Sequence, residues 1–205
     1  MNAIKVTISG VALSAIVAVI VTVQIRSLAA NSEPKAAAVT DMNGNLHVPD
    51  SYRTTYEFLG TWAAAAGQGP GSQELHIVYA SPGTIAAYRK DGHFPDRTVL
   101  VKEVYRAATR QITTGTISRE DSLRGWFIMV KDSRGRYAAN KPIYGDGWGW
   151  SWFDAANSST PSLNLPLPDG GVATTNDYRD NCKACHEPAQ ETDWIYVDGY
   201  PPLRP

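Results

Sequence analysis

The chain has 205 residues, with 19 Lys and Arg against 20 Asp and Glu, so its formal net charge at pH 7 is −1. This balance argues against nucleic-acid binding, which needs a basic stripe. The length suits a single domain once an N-terminal segment is set aside. The 6 Trp and 10 Tyr supply enough flat apolar surface to enclose a large planar cofactor.

Residues 1–30 have the pattern of an export signal. Lys5 precedes a largely apolar run over residues 6–25, and about 20 apolar residues can span a bilayer. Ser27-Leu28-Ala29, with small residues at its first and last positions, offers a cleavage site. The segment is therefore either a cleaved signal peptide or a membrane anchor, and any membrane contact is expected only through the uncleaved apolar run.

A linker at residues 31–42 is expected to lead to a domain at 43–205. Asp50 or Ser51 can cap the backbone N–H groups of a helix that starts there. The aromatic and apolar residues that follow at helical spacing are Tyr52, Tyr56, Leu59 and Trp62. We therefore expect a helix that frays into the glycine-rich loop 67–71.

Alternating apolar residues predict four strands, with a short helix after the first. The strands are expected at 74–79, 98–105, 126–131 and 148–153, and the helix at 83–90. Period two places Trp148, Trp150 and Trp152 on one face of the fourth strand.

The C-terminal part has a different composition. The stretch 156–171 is rich in Ser, Pro, Asn and Gly and indicates a loop. A short helix is expected around 176–185 and a last strand at 194–197. Together these elements predict an α+β fold, an antiparallel β-sheet with a few flanking helices.

The stretch Cys182-Lys183-Ala184-Cys185-His186 is the attachment signature of a c-type haem. The thiols form thioethers to the porphyrin, and the adjacent imidazole reaches the iron. A redox pair needs no such histidine, and a zinc site needs two more ligands, whereas the chain has only 2 Cys. We expect one covalent haem c, with His186 as the proximal iron ligand. Bacterial c-type haem is attached in the periplasm, which agrees with the export signal.

The expected sixth iron position is open or holds water. Small electron-transfer cytochromes c are helical, with an early haem motif and a downstream methionine ligand. Here the motif is late and no methionine follows it. Met129, on its predicted strand, remains an alternative ligand.

Four segments in order resemble the cytochrome P-460 family and its relative cytochrome c′-beta: NLHVPDSYR, ELHIVYASPGTIAAYRKDGHFPDRTVLVKEV, FIMVKDS and CKACHEPAQETDWIYVDGYPPL. The resemblance runs from about Asn43 to Leu203. It implies an antiparallel sheet with a few helices, a homodimer, and a haem iron ligated by His186 with an open distal side. Catalytic members of the family oxidise hydroxylamine in the periplasm, and their relatives bind nitric oxide.

Lys102 lies in TVLVKEV, where the P-460 enzymes place a lysine that is cross-linked to the porphyrin. Strand alternation puts it on the apolar face of Leu100 and Val104, where a free ammonium is costly. Desolvation would lower its pKa, and a neutral amine is a nucleophile. The alternative is an edge-strand lysine whose amine reaches water.

His76 is the second candidate catalytic residue. The resemblance implies an arginine near this strand position, so the chain departs from the family's pattern there. His76 could shuttle protons, since its unperturbed pKa lies near neutrality, or it could be a hydrogen-bonded strand histidine. His47 and His93 are expected to be solvated. We expect the tryptophan stripe in the sheet core or a dimer interface rather than against the haem.

Two functions stay open. The first is a hydroxylamine oxidoreductase that passes electrons to an acceptor protein, which Lys102 favours. The second is a nitric-oxide-binding or electron-transfer cytochrome without turnover, which His76 in place of arginine favours.

Overall fold

The computed structural model describes residues 39–65, 71–162, 165–166, 171–173 and 177–204, all within one compact unit. The predicted export segment and most of the predicted linker lie outside the described residues. No helix in the described part is long and apolar enough to cross a membrane. Val39 is fully buried and Thr40 bridges to Leu46, so packing begins before the predicted domain start at residue 43.

The main element is a six-stranded antiparallel sheet, with strand order β1-β2-β3-β4-β6-β5. Its strands are β1 (Glu57–Ala65), β2 (Ser72–Ala80), β3 (Val99–Ile112), β4 (Gly115–Lys131), β5 (Tyr144–Gly145) and β6 (Trp148–Asp154). Two short strands, β7 (Leu165–Pro166) and β8 (Val172–Ala173), pair with each other; β7 lies within the predicted loop 156–171 and β8 directly follows it.

The helices are short. They are α1 (Tyr52–Thr55), α2 (Thr84–Asp91) and α3 (Ala184–His186), with a π turn at Arg179–Lys183 and 3-10 turns at Glu187–Thr192, Val197–Gly199 and Pro201–Leu203. Helix α2 ends at Gly92, whose φ of 72° suits glycine. The predicted α+β class, an antiparallel sheet with a few helices, is confirmed.

The predicted helix after Ser51 is wrong beyond its first turn. Ser51 adopts φ 58° and makes no side-chain cap; instead its carbonyl accepts hydrogen bonds from the hydroxyls of Thr54 and Thr55. The chain then continues as β1, which pairs along its length with β2. The helical spacing of the apolar residues was a local signal, and pairing with a neighbouring strand outweighs it.

The predicted last strand at 194–197 is also wrong. Asp193 and Trp194 have φ values of 62° and 70°, so the backbone turns sharply there. Left-handed backbone cannot continue as a strand. Tyr196 and the residues after it lead into 3-10 turns instead.

The sheet is buried on both faces in the first half of β3, where Val99 to Val101 and Glu103 to Val104 are buried. Leu100 belongs to one apolar cluster, while Val99 and Val101 belong to a second cluster. Glu103, only 1% exposed, points with the second set and accepts hydrogen bonds from the Tyr52 hydroxyl and the Arg53 guanidinium. Lys102 therefore points to the other face, with Leu100 and Val104, as strand alternation predicts.

Candidate cofactor site

A cavity of about 490 Å³ lies between that face of the sheet and the C-terminal turns. Its volume falls within the roughly 300–1,000 Å³ typical of cofactor sites. All five residues that the sequence nominates line it: His76, Lys102, Cys182, Cys185 and His186. They come from two neighbouring strands and one helical segment more than 70 positions away.

Helical geometry brings the three motif residues to the cavity. Residues separated by three or four positions share one face of a helix. Cys182 lies in the π turn, and Cys185 and His186 lie in α3, which follows directly. Both thiols are free and all three side chains line the cavity. The segment thus presents two thiols and an imidazole to one space.

His186 is held in one tautomer. Its Nδ1 lies 2.6 Å from the backbone carbonyl oxygen of Trp194, which can only accept a proton, so Nδ1–H donates and Nε2 is left with a lone pair. Trp150 packs edge-on against the ring at 5.0 Å. Burial lowers the pKa of His186 to about 4 although the Trp194 carbonyl opposes the shift. The imidazole is therefore neutral at pH 7, the form that ligates a metal.

Lys102 lies between Val78 and Phe127 in the sheet register. Its Nζ sits 4.3 Å from the centre of the Phe127 ring, and among the described residues no carboxylate pairs with it. Burial lowers the pKa of Lys102, while the thiols of Cys182 and Cys185 oppose that shift. Thioether formation would remove both thiols and so remove their upward contribution to the pKa of Lys102.

Three polar side chains form a further group on the cavity wall, here called the polar cluster: Glu74, His76 and Arg124. Nε2 of His76 lies 3.2 Å from one Glu74 oxygen, and Arg124 forms an ion pair with the other. Burial lowers the pKa of His76 to about 4, with a further contribution from the charge of Lys102. The sequence interpretation missed Glu74 and Arg124.

A β-bulge explains why Arg124 was missed. In the β3–β4 register Val104 faces Gly125, but Tyr105 faces Leu123, so Arg124 is the extra residue. One extra residue reverses the alternation of faces. Phe127 and Arg124 therefore both line the cavity despite odd spacing. Glu74, by contrast, could have been predicted, because it precedes His76 by two residues and side chains at that spacing in a strand point to the same face.

Gly125 makes the bulge feasible. It has φ 155°, and a Cβ there would lie 2.0 Å from the backbone oxygen of Phe153. Only glycine fits this close approach of β4 to β6. The position of Arg124 in the cavity thus depends on the residue after it.

The tryptophan stripe divides between core and cavity. Trp150 and Trp152 line the cavity, so the expectation that the stripe lies away from it is wrong for these two. The face of β6 that carries them is the continuation of the face that carries Lys102. Trp148 is fully buried and packs against Phe94 in the core, as expected. Met129, the alternative ligand, also lines the cavity.

Aromatic side chains form the exposed part of the cavity wall. Trp62 is 36% exposed and Tyr196 is 39% exposed, and both line the cavity. The Tyr196 hydroxyl donates to the backbone oxygen of Cys185 at 2.6 Å. Trp62 lies so close to Gly199 that a Cβ there would come within 1.7 Å of its ring. His93 is exposed and His47 half-buried, and neither lines the cavity.

The donor set fits a covalently attached haem. Two thiols and a neutral imidazole with a committed Nδ1 face a cavity whose walls are largely aromatic and aliphatic. A zinc site needs a tighter group of ligands. Within the described residues, no cluster of three or more His, Cys, Asp or Glu side chains could hold a metal ion.

The sequence profile of the cytochrome P460 family matches residues 49–197. The matched region contains all five nominated residues and the polar cluster. A search among curated proteins found no match.

Proposed function

Because the chain belongs to the cytochrome P460 family and is thus a c-type haem protein, we propose that Cys182 and Cys185 carry the haem through thioethers. His186 is the proximal iron ligand through Nε2. The observation that carries this proposal is the meeting of both thiols and a single-tautomer imidazole at one cavity. Haem that extracts into acidified organic solvent from the unmodified protein would contradict it.

The activity that we propose is hydroxylamine oxidation at an open distal position. When bound, the haem supplies an iron that takes up the nitrogen of the substrate and accepts its electrons. Phe127 and Trp152 give the cavity apolar walls, and a less polar surrounding strengthens polar interactions inside it. Electrons leave to an acceptor protein, and the protons released with them go to groups of the chain.

The polar cluster is the proposed proton acceptor. A Glu74 oxygen and the neutral His76 ring both have lone pairs that can take a proton from the substrate's N–H or O–H. Arg124 holds the Glu74 carboxylate by its ion pair and supplies positive charge beside developing negative charge. These groups replace the arginine that the family resemblance implied at the position of His76.

Lys102 is the proposed site of a cross-link to the porphyrin. Its desolvated amine favours the neutral, nucleophilic form, and it lies on the same wall as the polar cluster. Forming this N–C bond would replace one N–H of Lys102 and one porphyrin C–H, and would require a two-electron oxidant of the peroxide class to take up the two protons and two electrons. Such a link would fix the macrocycle against β3.

The alternative is a nitric-oxide-binding or electron-transfer cytochrome without turnover. The position of the Lys102 amine over the Phe127 ring favours it, because a free ammonium gains a cation–π interaction there. In that case the amine stays unlinked and the open iron position binds the gas reversibly.

We also propose that the protein is periplasmic and forms a homodimer. The export-like N-terminal pattern and the family resemblance support these two points. If the N-terminal segment is not cleaved, residues 6–25 would anchor the protein to the inner membrane.

One optical spectrum of the ferrous protein separates the two functions. A cross-linked haem absorbs far to the red of an ordinary c-type haem, so the oxidoreductase predicts a red-shifted band. The alternative predicts an ordinary c-type spectrum. The resting spectrum should show a five-coordinate or water-ligated iron, and a low-spin bis-histidine or His–Met spectrum would contradict both.

A further inference from the structure

The carbonyl that accepts the His186 hydrogen bond belongs to an unusual turn. Asp193 and Trp194 are consecutive non-glycine residues with φ values of 62° and 70°. Such conformations cost free energy and persist where surrounding contacts enforce them. The carbonyl oxygen of Trp194 lies 2.6 Å from His186 Nδ1. The turn therefore decides where the acceptor for the proximal histidine sits.

Two strands of the sheet hold this turn through Asp193. Lys131, at the end of β4, forms an ion pair with one carboxylate oxygen, and the other accepts the backbone N–H of Phe94 at 3.0 Å. The backbone carbonyl of Asp193 accepts the indole N–H of Trp148, in β6, at 3.1 Å. The Lys131 ammonium also lies 4.7 Å from the centre of the Trp148 ring.

The ion pair between Lys131 and Asp193 is nearly buried and can hold the turn at Asp193 and Trp194 in one position. The side chains of Lys131 and Asp193 are 10% and 14% exposed, so solvent screens them little. On its C-terminal side the turn leads directly into Ile195, which is buried in the apolar cluster. The backbone N–H of Trp194 donates to the backbone carbonyl of Ala189 at 2.8 Å, which connects the turn to the 3-10 turn that directly follows the haem motif.

We propose that Lys131 and Asp193 are positioning residues that set the strength of the hydrogen bond from proximal His186 to the Trp194 carbonyl. This inference rests on the proposed function, because it requires His186 to ligate the iron. A strong Nδ1–H···O=C bond gives the imidazole more anionic character and makes Nε2 a stronger donor. A stronger donor favours ferric over ferrous iron and strengthens the iron–histidine bond.

The test uses Asp193→Asn and Lys131→Met in the haem-loaded protein. Asparagine tolerates the left-handed backbone and can still accept from Phe94, so this change removes mainly the charge. Methionine keeps the apolar stem of the lysine and removes the ammonium. Both variants should keep covalent haem. Both should shift the ferrous iron–histidine stretching band to lower frequency and the reduction potential to a more positive value.

Two further variants separate positioning from stability. Lys131→Arg keeps the cation and should restore the stretching frequency and potential towards the wild-type values. Arg53→Met is the matched control, because it removes a cation from buried Glu103 on the opposite face of the sheet. It should lower stability while leaving both readouts unchanged.

The outcomes are distinguishable. If Asp193→Asn and Lys131→Met lower the stability but leave the stretching frequency and the potential at wild-type values, the ion pair only tethers the turn and the inference is wrong. If the wild-type ferrous protein is five-coordinate and shows no iron–histidine band, His186 is not the ligand and the proposed function itself fails.

Discussion

The polar cluster offers a quantitative test, because its ion pair joins β2 to β4 across β3, and a bulge turns Arg124 towards Glu74. The side chains of Glu74 and Arg124 are 20% and 24% exposed. Exposed pairs contribute about 0.2–1 kcal/mol, and removing one partner of a buried pair costs about 3–5 kcal/mol. For this partly buried pair we expect each of Glu74→Gln and Arg124→Gln to lower the free energy of unfolding by about 2 kcal/mol. The coupling energy between the two sites should be about 1–2 kcal/mol.

The assay is a double-mutant cycle measured by denaturant unfolding of the haem-loaded protein. Arg119→Gln, an exposed arginine on the same strand, is the matched control and should change the stability by less than about 0.5 kcal/mol. If Glu74 accepts a substrate proton and Arg124 holds its carboxylate in place, each single variant should also slow hydroxylamine oxidation by about 10²-fold while nitric oxide still binds. Additivity of the two changes within about 0.3–0.5 kcal/mol would refute the pairing.

Three further predictions concern other cavity residues. Lys102→Leu should keep covalent haem, move the ferrous band to that of an ordinary c-type haem and abolish hydroxylamine oxidation; an unchanged red-shifted band would contradict the cross-link. The folded-state pKa of His76, about 4, lies below its unfolded value of about 6.5. Below pH 6.5 the unfolded chain therefore binds a proton that the folded protein does not. The free energy of unfolding should fall between pH 6.5 and 4 by about 1 kcal/mol per pH unit. His76→Gln should flatten that fall in equilibrium unfolding. An identical pH profile would show that the Glu74 carboxylate offsets burial and the charges of Lys102 and Arg124, so that the pKa of His76 is not lowered in the fold. Met129→Leu should leave the resting optical spectrum unchanged, and loss of a low-spin form would identify Met129 as a ligand.

Much of the cavity wall could be predicted from strand alternation. Period two places His76 and Lys102 on one face of adjacent strands, and the helical spacing of the haem motif brings Cys182, Cys185 and His186 together. In both patterns the position of a residue within its own strand or helix decides to which side its side chain points. The haem motif therefore nominated three of the five residues, and the family resemblance, with strand alternation for Lys102, nominated Lys102 and His76.

The features that could not be predicted depend on contacts distant in sequence. Arg124 enters the cavity because one residue of β4 is unpaired against β3. The turn at Asp193 and Trp194 replaces the expected strand because the ion pair with Lys131 and the Trp148 indole hold it there. Neither the register between two strands nor an ion pair between distant residues can be predicted from the residues next to them in the sequence.

The predicted helix after Ser51 failed for a related reason. Apolar residues at helical spacing also occur by chance in a strand, and β1 gains its stability from β2 rather than from its own sequence. A strand that follows a single helical turn cannot be recognised until its partner is known.

The central claim is that one haem is bound to the cysteine motif and joined to Lys102. Proteolysis of the haem-loaded protein followed by mass measurement of the haem-bearing peptides tests it directly. One fragment is expected in which haem joins the Cys182–His186 peptide to the Lys102 peptide. Haem carried by the cysteine peptide alone would contradict the cross-link and favour reversible nitric oxide binding, and haem on neither peptide would contradict the account as a whole.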